Sequence, residues 1–121
     1  MLVNRQREGL IRSRIKASVI ATGDTLMFLD SHCEMGAEWL EPLMQTIKRN
    51  KKILASPQID AINFSDFKVQ KGQFYVGGFD WNFRFKWDVL TKEQSVEQKD
   101  DYGQNLVTPT IAGGIFAIGN L

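Results

Sequence analysis

Apolar residues recur at three- and four-residue spacing through Leu10, Ile11, Ile15, Val19 and Ile20, while Arg12, Arg14 and Lys16 fall on other faces. This period predicts an amphipathic helix over residues 5–21, ended by Gly23. Residues 25–29 then form a continuous apolar run between Asp24 and Asp30, the pattern of a strand covered on both faces, as in a parallel sheet flanked by helices. A second helical period covers residues 37–50, with Trp39, Leu40, Leu43, Met44 and Ile47 as its stripe. Glu38 and Glu41 stand in its first turn and Lys48 and Arg49 near its end, followed by Lys51 and Lys52. Cations there complement the helix dipole, so a solvated helix end accounts for the basic cluster as well as a phosphate-binding patch would.

Residues 53–56 read as another short strand, followed by Pro57 and the apolar stretch 59–64. The first half, residues 1–66, thus alternates helix, strand, helix, strand, the rhythm of an α/β domain with a mainly parallel central sheet. In the second half, residues 67–121, the segment 68–78 is polar and glycine-containing, as a loop or hairpin would be. From Phe79 to Trp87 every odd position is aromatic and every even position from Asp80 to Asp88 is polar or charged. That period of two predicts one strand with an aromatic face. Phe83, Phe85 and Trp87 are expected in the core. Phe79 and Trp81, which follow the Gly77-Gly78 pair, are expected at the mouth of a cleft, where rings serve as platforms for sugars or extended peptides. Residues 93–105 read as a mobile surface connector. The segment from Ile111 to Leu121 is strongly apolar and calls for partners, as in a piece of a larger unit.

Composition narrows the classes. The 121 residues fit one domain or part of one, and 43% hydrophobic with 24% charged residues is ordinary for a folded chain. Fifteen basic against fourteen acidic residues give a net charge of +1, which argues against a dedicated nucleic-acid binder. One cysteine excludes an intrachain disulfide. The mainly apolar stretch, residues 106–121, falls short of the ~20 residues that span a bilayer and is broken by Pro109 and the Gly113-Gly114 pair, and no apolar leader is visible at the start of the sequence, so no membrane segment is expected in this chain.

Candidate chemistry lies in Asp30-Ser31-His32, at the carboxyl end of the 25–29 strand. In an extended backbone side chains at i and i+2 point the same way, so Asp30 and His32 would reach one cation together. Ligands of open α/β sheets bind at that edge, and carboxylate plus imidazole suits a borderline divalent ion such as Mn²⁺ shared with a phosphate. Equally, Asp30 could cap the next turn and His32 hydrogen-bond at the surface. The Gly113-Gly114 pair permits close backbone approach to a ligand or a tight strand bend. Arg7, at the start of the first helix, is either a phosphate or base contact or a surface residue.

Taken in order, several blocks resemble the polypeptide N-acetylgalactosaminyltransferases, the enzymes that start mucin-type O-glycosylation. They are Arg7-Glu8-Gly9-Leu10-Ile11-Arg12-Ser13-Arg14, Phe28-Leu29-Asp30-Ser31-His32-Cys33-Glu34, Trp39-Leu40-Glu41-Pro42-Leu43, Pro57-Gln58-Ile59-Asp60, Gly77-Gly78-Phe79-Asp80-Trp81, Phe85-Lys86-Trp87, and Thr108-Pro109 with Ala112-Gly113-Gly114-Ile115-Phe116-Ala117-Ile118. The resemblance implies an incomplete glycosyltransferase A-type, Rossmann-like nucleotide-sugar domain. It implies Asp30 and His32 as ligands of Mn²⁺ on the diphosphate of UDP-N-acetylgalactosamine, with Arg7, Asp30, Ser31, Gly113 and Gly114 around the donor. Phe79 and Trp81 match residues on which the acceptor peptide rests. The implied reaction is transfer of N-acetylgalactosamine to Ser or Thr hydroxyls of polypeptides with retention, in the Golgi lumen. The sequence lacks the family's earlier nucleotide-binding strand and its later Trp-Gly-Gly-Glu-Asn block with the histidine that completes the metal site. It also lacks the membrane anchor and lectin domain. The expectation is therefore a central part of a catalytic domain, poorly active alone, with a non-catalytic peptide- or partner-binding module as the alternative. Met35 stands where a second cysteine is common in the family, which leaves Cys33 without the partner the resemblance would give it.

Overall fold

Gly9 sets where the first helix begins. Its dihedrals, φ 80° and ψ 170°, lie outside the helical region, so helix α1 runs Leu10–Ile20 and does not start at residue 5 as the apolar period implies. Glu38 acts in the same way on the second helix. Its φ of 56° interrupts the chain, and α2 runs Leu40–Arg49. Pro42 is accommodated as the third residue of α2, where a backbone N–H would have no partner within the helix. The computed structural model describes residues 3–72, 75–97 and 105–120. They fall into two compact units, residues 1–57 with 114–121, and residues 58–113.

In the first unit, β1 (Thr25–Leu29) and β2 (Leu54–Ala55) flank β7 (Ile115–Gly119) in the order β1-β7-β2. Both ladders are antiparallel, which corrects the expectation of a mainly parallel sheet. The physical reason is one inserted strand. β1 and β2, joined through α2, do run in the same direction, as the helix–strand rhythm implied, but β7 enters between them in the opposite sense and takes up the hydrogen bonds they would otherwise exchange. The apolar 115–119 run is therefore a central strand, and its need for partners is met by β1 and β2.

One face of this sheet carries the core. Leu43 and Ile47 of α2 pack with Ala55 and Ala117, surrounded by Met27, Trp39, Met44 and Ile53. Thr46, also buried, donates its hydroxyl to the Pro42 carbonyl at 2.9 Å, so its polar atom is satisfied. On the opposite face Phe28 and Phe116, paired in register across β1 and β7, stack with centroids 4.8 Å apart. The apolar stripe of α1 points to solvent: its five large aliphatic side chains are 57–79% exposed.

In the second unit, β3 (Ala61–Ile62) pairs with β4 (Val69–Gln70), and β5 (Tyr75–Phe79) with β6 (Phe85–Val89). The aromatic segment 79–87 is thus a hairpin and not one strand. Asp80 makes the reversal: its carboxylate accepts the N–H groups of Asn82 and Arg84 at 2.8 and 2.9 Å. Phe83 takes the left-handed region at φ 59°. Phe83, Phe85 and Trp87, expected in the core, are 88%, 39% and 47% exposed. Residues 93–97, expected as connector, fall in the short helix α3 (Lys92–Glu97). Hydrogen bonds from the Glu93 backbone N–H and then the Thr91 hydroxyl hold the Glu93 carboxyl below its usual range. Of the rest of the predicted connector, residues 98–104 lie outside the described residues.

Candidate functional site

β1 delivers Asp30 to the point where β7 begins. The Asp30 N–H donates to the Gly114 carbonyl at 2.8 Å, continuing the β1–β7 ladder by one bond, and the Cys33 N–H then donates back to the Asp30 carbonyl at 3.2 Å. That second bond closes a four-residue turn with Ser31 and His32 at its centre. The extended spacing expected for Asp30 and His32 is therefore replaced by a turn, because backbone pairing to β7 stops at Asp30. Asp30 is half-buried, and Ser31 and His32 are exposed.

The Asp30 carboxylate has a different neighbour at each oxygen. Oδ1 accepts from the guanidinium of Arg14 at 3.3 Å. Oδ2 faces Gly114, where a Cβ would stand 3.1 Å away. A side chain at position 114 would press on this oxygen, so glycine there leaves that side of the carboxylate clear. Arg14 is itself braced, with its guanidinium carbon 5.8 Å from the Phe28 ring centroid and 5.3 Å from that of Phe116, within the range of cation–π attraction. Asp30, Phe28 and Phe116 lie on or just after β1 and on β7, distant in the chain from α1, so nothing local in the sequence distinguishes Arg14 from Arg12 or Lys16. Cys33 is a free, half-buried thiol with its sulfur 3.9 Å from the Gly114 carbonyl.

A half-buried carboxylate and an exposed imidazole two residues apart in one turn are donor types that borderline divalent ions accept. Among the described residues no group of three or more His, Cys, Asp or Glu side chains converges, so the turn offers part of a coordination sphere. Arg7 is exposed on the segment before α1. That segment is tied down by the Asn4 amide on the Ser13 hydroxyl at 2.8 Å and by the Lys16–Glu8 ion pair at 2.6 Å. No hydrogen bond or ion pair joins Arg7 to Asp30 among the described residues. Of the glycine pair, Gly114 adjoins Asp30 in the first unit, while Gly113 is exposed and belongs to the second.

Phe79 and Trp81 belong to the second unit. Phe79 closes β5 against Phe85 in an edge-to-face contact at 6.0 Å and is 57% exposed, while Trp81 stands fully exposed in the hairpin turn. Phe85 in turn meets Trp87 edge-on at 5.0 Å, and Trp87 meets Tyr75 at 6.0 Å. The four rings form a continuous strip on one face of the hairpin. Gly77 lies directly opposite Trp87 in the ladder and leaves a gap between Tyr75 and Phe79.

Comparison with known proteins gives these features a context. The chain is 43% identical over 118 residues to human polypeptide N-acetylgalactosaminyltransferase 14 and 38% identical over 120 residues to mouse polypeptide N-acetylgalactosaminyltransferase 4. These alignments take in 97% and 98% of the chain but 21% of each relative, so the chain spans about a fifth of the length of the curated relatives it matches. The crystal structure of GalNAc-T7 with UDP, GalNAc and Mn²⁺ superposes with a TM-score of 0.82 at 31% identity, over 97% of this chain and 22% of that one. The fold is accordingly of the glycosyltransferase A type. No described helix is long and apolar enough to cross a membrane. The family model for glycosyl transferase family 2 matches residues 1–117, and the chain belongs to that family.

Proposed function

We propose that this chain is part of a retaining glycosyltransferase that moves N-acetylgalactosamine from UDP-N-acetylgalactosamine to Ser or Thr hydroxyls of polypeptides, in the Golgi lumen. The observation that carries the proposal is the Asp30-Ser31-His32 turn at the carboxyl end of β1, in a chain 43% identical over 118 residues to a named polypeptide N-acetylgalactosaminyltransferase.

In this reaction the bond between the anomeric carbon and the diphosphate oxygen breaks, and a bond from that carbon to the acceptor hydroxyl oxygen forms on the same face. The hydroxyl proton passes to the departing diphosphate. Asp30 and His32 would hold Mn²⁺, which when bound neutralises charge on the leaving diphosphate. Ser31, exposed at the centre of the turn, faces the donor. Gly113 and Gly114 admit the donor sugar against the main chain, since neither carries a side chain of its own. Arg7 contributes a guanidinium to the uridine diphosphate. Phe79 and Trp81 offer ring faces to the acceptor peptide. Calorimetric titration of the chain with UDP, with and without Mn²⁺, tests the donor half. UDP binding is expected to require Mn²⁺ and to disappear in the Asp30→Ala, His32→Ala double variant; metal-independent binding that survives both substitutions rejects the assignment.

A second reading, a peptide- or partner-binding module without transfer, is favoured by the complete exposure of Trp81 beside the half-exposed strip Tyr75, Phe79, Phe85 and Trp87. It predicts peptide binding indifferent to the same double variant.

A further inference from the structure

We infer that Arg14 is a positioning residue for the Asp30 carboxylate, acting through that side chain on binding of the metal–diphosphate complex. The inference rests on the proposed function and extends it to a residue that lies outside the Asp30-Ser31-His32 turn. Contacts that contribute to the geometry include guanidinium to Asp30 Oδ1 at 3.3 Å, and guanidinium carbon to the Phe28 and Phe116 centroids at 5.8 and 5.3 Å. Phe28 and Phe116 are fixed by the β1–β7 register and by their own stacking. The guanidinium is therefore held by rings on the same two strands whose ends set the Asp30 backbone. A long, rotamer-rich side chain is pinned at its tip, and the pinned tip determines which Asp30 oxygen is turned toward Gly114.

The consequence is a division of labour within one carboxylate. Oδ1 is taken by Arg14, and Oδ2 is directed to the side that Gly114 leaves open. Outer partners that orient a ligating carboxylate change metal affinity by about 10–100-fold when removed. The charge on Arg14 adds a sign that packing alone lacks. A guanidinium sharing a carboxylate with a divalent cation repels that cation, but it attracts the diphosphate that accompanies it. Arg14 should therefore favour Mn²⁺ with UDP over Mn²⁺ alone.

Arg14→Met separates these effects, because methionine keeps an unbranched chain and sulfur–aromatic contact with Phe28 and Phe116 while removing the charge and the hydrogen bond. Mn²⁺ binding to the full chain is read by electron paramagnetic resonance, with and without UDP, for wild type, Arg14→Met, Arg14→Lys and Asp30→Ala. Arg14→Met is expected to weaken Mn²⁺ binding in the presence of UDP about 10-fold or more, to weaken binding of Mn²⁺ alone by a smaller factor, and to leave the melting temperature near that of wild type. Arg14→Lys, which retains the charge, should recover part of the loss. Equal affinities for wild type and Arg14→Met with UDP, where Asp30→Ala abolishes binding, overturn the role of Arg14 and spare the metal assignment. Wild type and Asp30→Ala behaving alike overturn both. Equal weakening with and without UDP, accompanied by a lowered melting temperature, makes Arg14 a structural residue and overturns the inference.

Discussion

Gly77 and Gly114 are each constrained by one neighbouring residue. A Cβ at position 77 would run into the Thr110 carbonyl oxygen, a backbone atom held in place by the Gly77–Thr110 bridge and by the Thr108 hydroxyl, which accepts from the Gly77 N–H at 3.0 Å and donates to the Thr110 carbonyl at 2.8 Å. Gly77→Ala must displace main chain, and overpacking of this kind costs about 1–3 kcal/mol. Gly36 has nothing within 4 Å of its would-be Cβ, so Gly36→Ala should stay within about 0.5 kcal/mol of wild type. Urea denaturation of both variants checks the contrast. At position 114 the obstructing atom is Asp30 Oδ2, the end of a side chain, so the demand there falls on carboxylate orientation more than on the fold.

Among elements, the β5–β6 hairpin depends on one side chain. Asp80 Oδ1 accepts two backbone N–H groups across the turn, and Asp80→Ala removes both bonds while leaving the backbone pair Asp80 N–H to Arg84 carbonyl at 2.9 Å. At about 0.5–1.5 kcal/mol per bond, the variant should lose roughly 1–3 kcal/mol, with amide exchange of residues 85–89 accelerating; an unchanged exchange pattern would show that the strands alone set the turn. The hairpin also marks where the sequence pattern misleads. Alternation from Phe79 to Trp87 continues through the turn without a break, because Trp81 and Phe83 keep the odd-position aromatic rhythm while standing outside both strands. The helices and the 25–29 strand were legible, since their periods arise from local geometry. The direction of β7 was not, because antiparallel insertion is decided by pairing with residues far away in the chain. The candidate site divides in the same way. Asp30 and His32 could be found from residue type at a strand end, whereas Arg14 acquires its partners only when α1, β1 and β7 come together.

Across the whole molecule, burial is unevenly distributed. Ile47 is 2% exposed in the core between α2 and the sheet, whereas Ile11 on α1 is 75% exposed. Ile47→Ala should therefore lower stability by about 2–5 kcal/mol, and Ile11→Lys should stay within about 0.5 kcal/mol of wild type; thermal melts of the two variants decide it, and a large loss for Ile11→Lys would mean that the α1 stripe is covered in solution. The position of β7 has a temporal consequence as well. Thr25–Leu29 pairs with Ile115–Gly119, and the whole of residues 58–113 is made between them. At ribosomal rates of about 5–20 residues per second, β1 waits several seconds for the strand that separates it from β2. For that interval β1 is without its native ladder partner and its unpaired edge is exposed to wrong pairings, whereas both hairpins of the second unit can close as soon as they emerge.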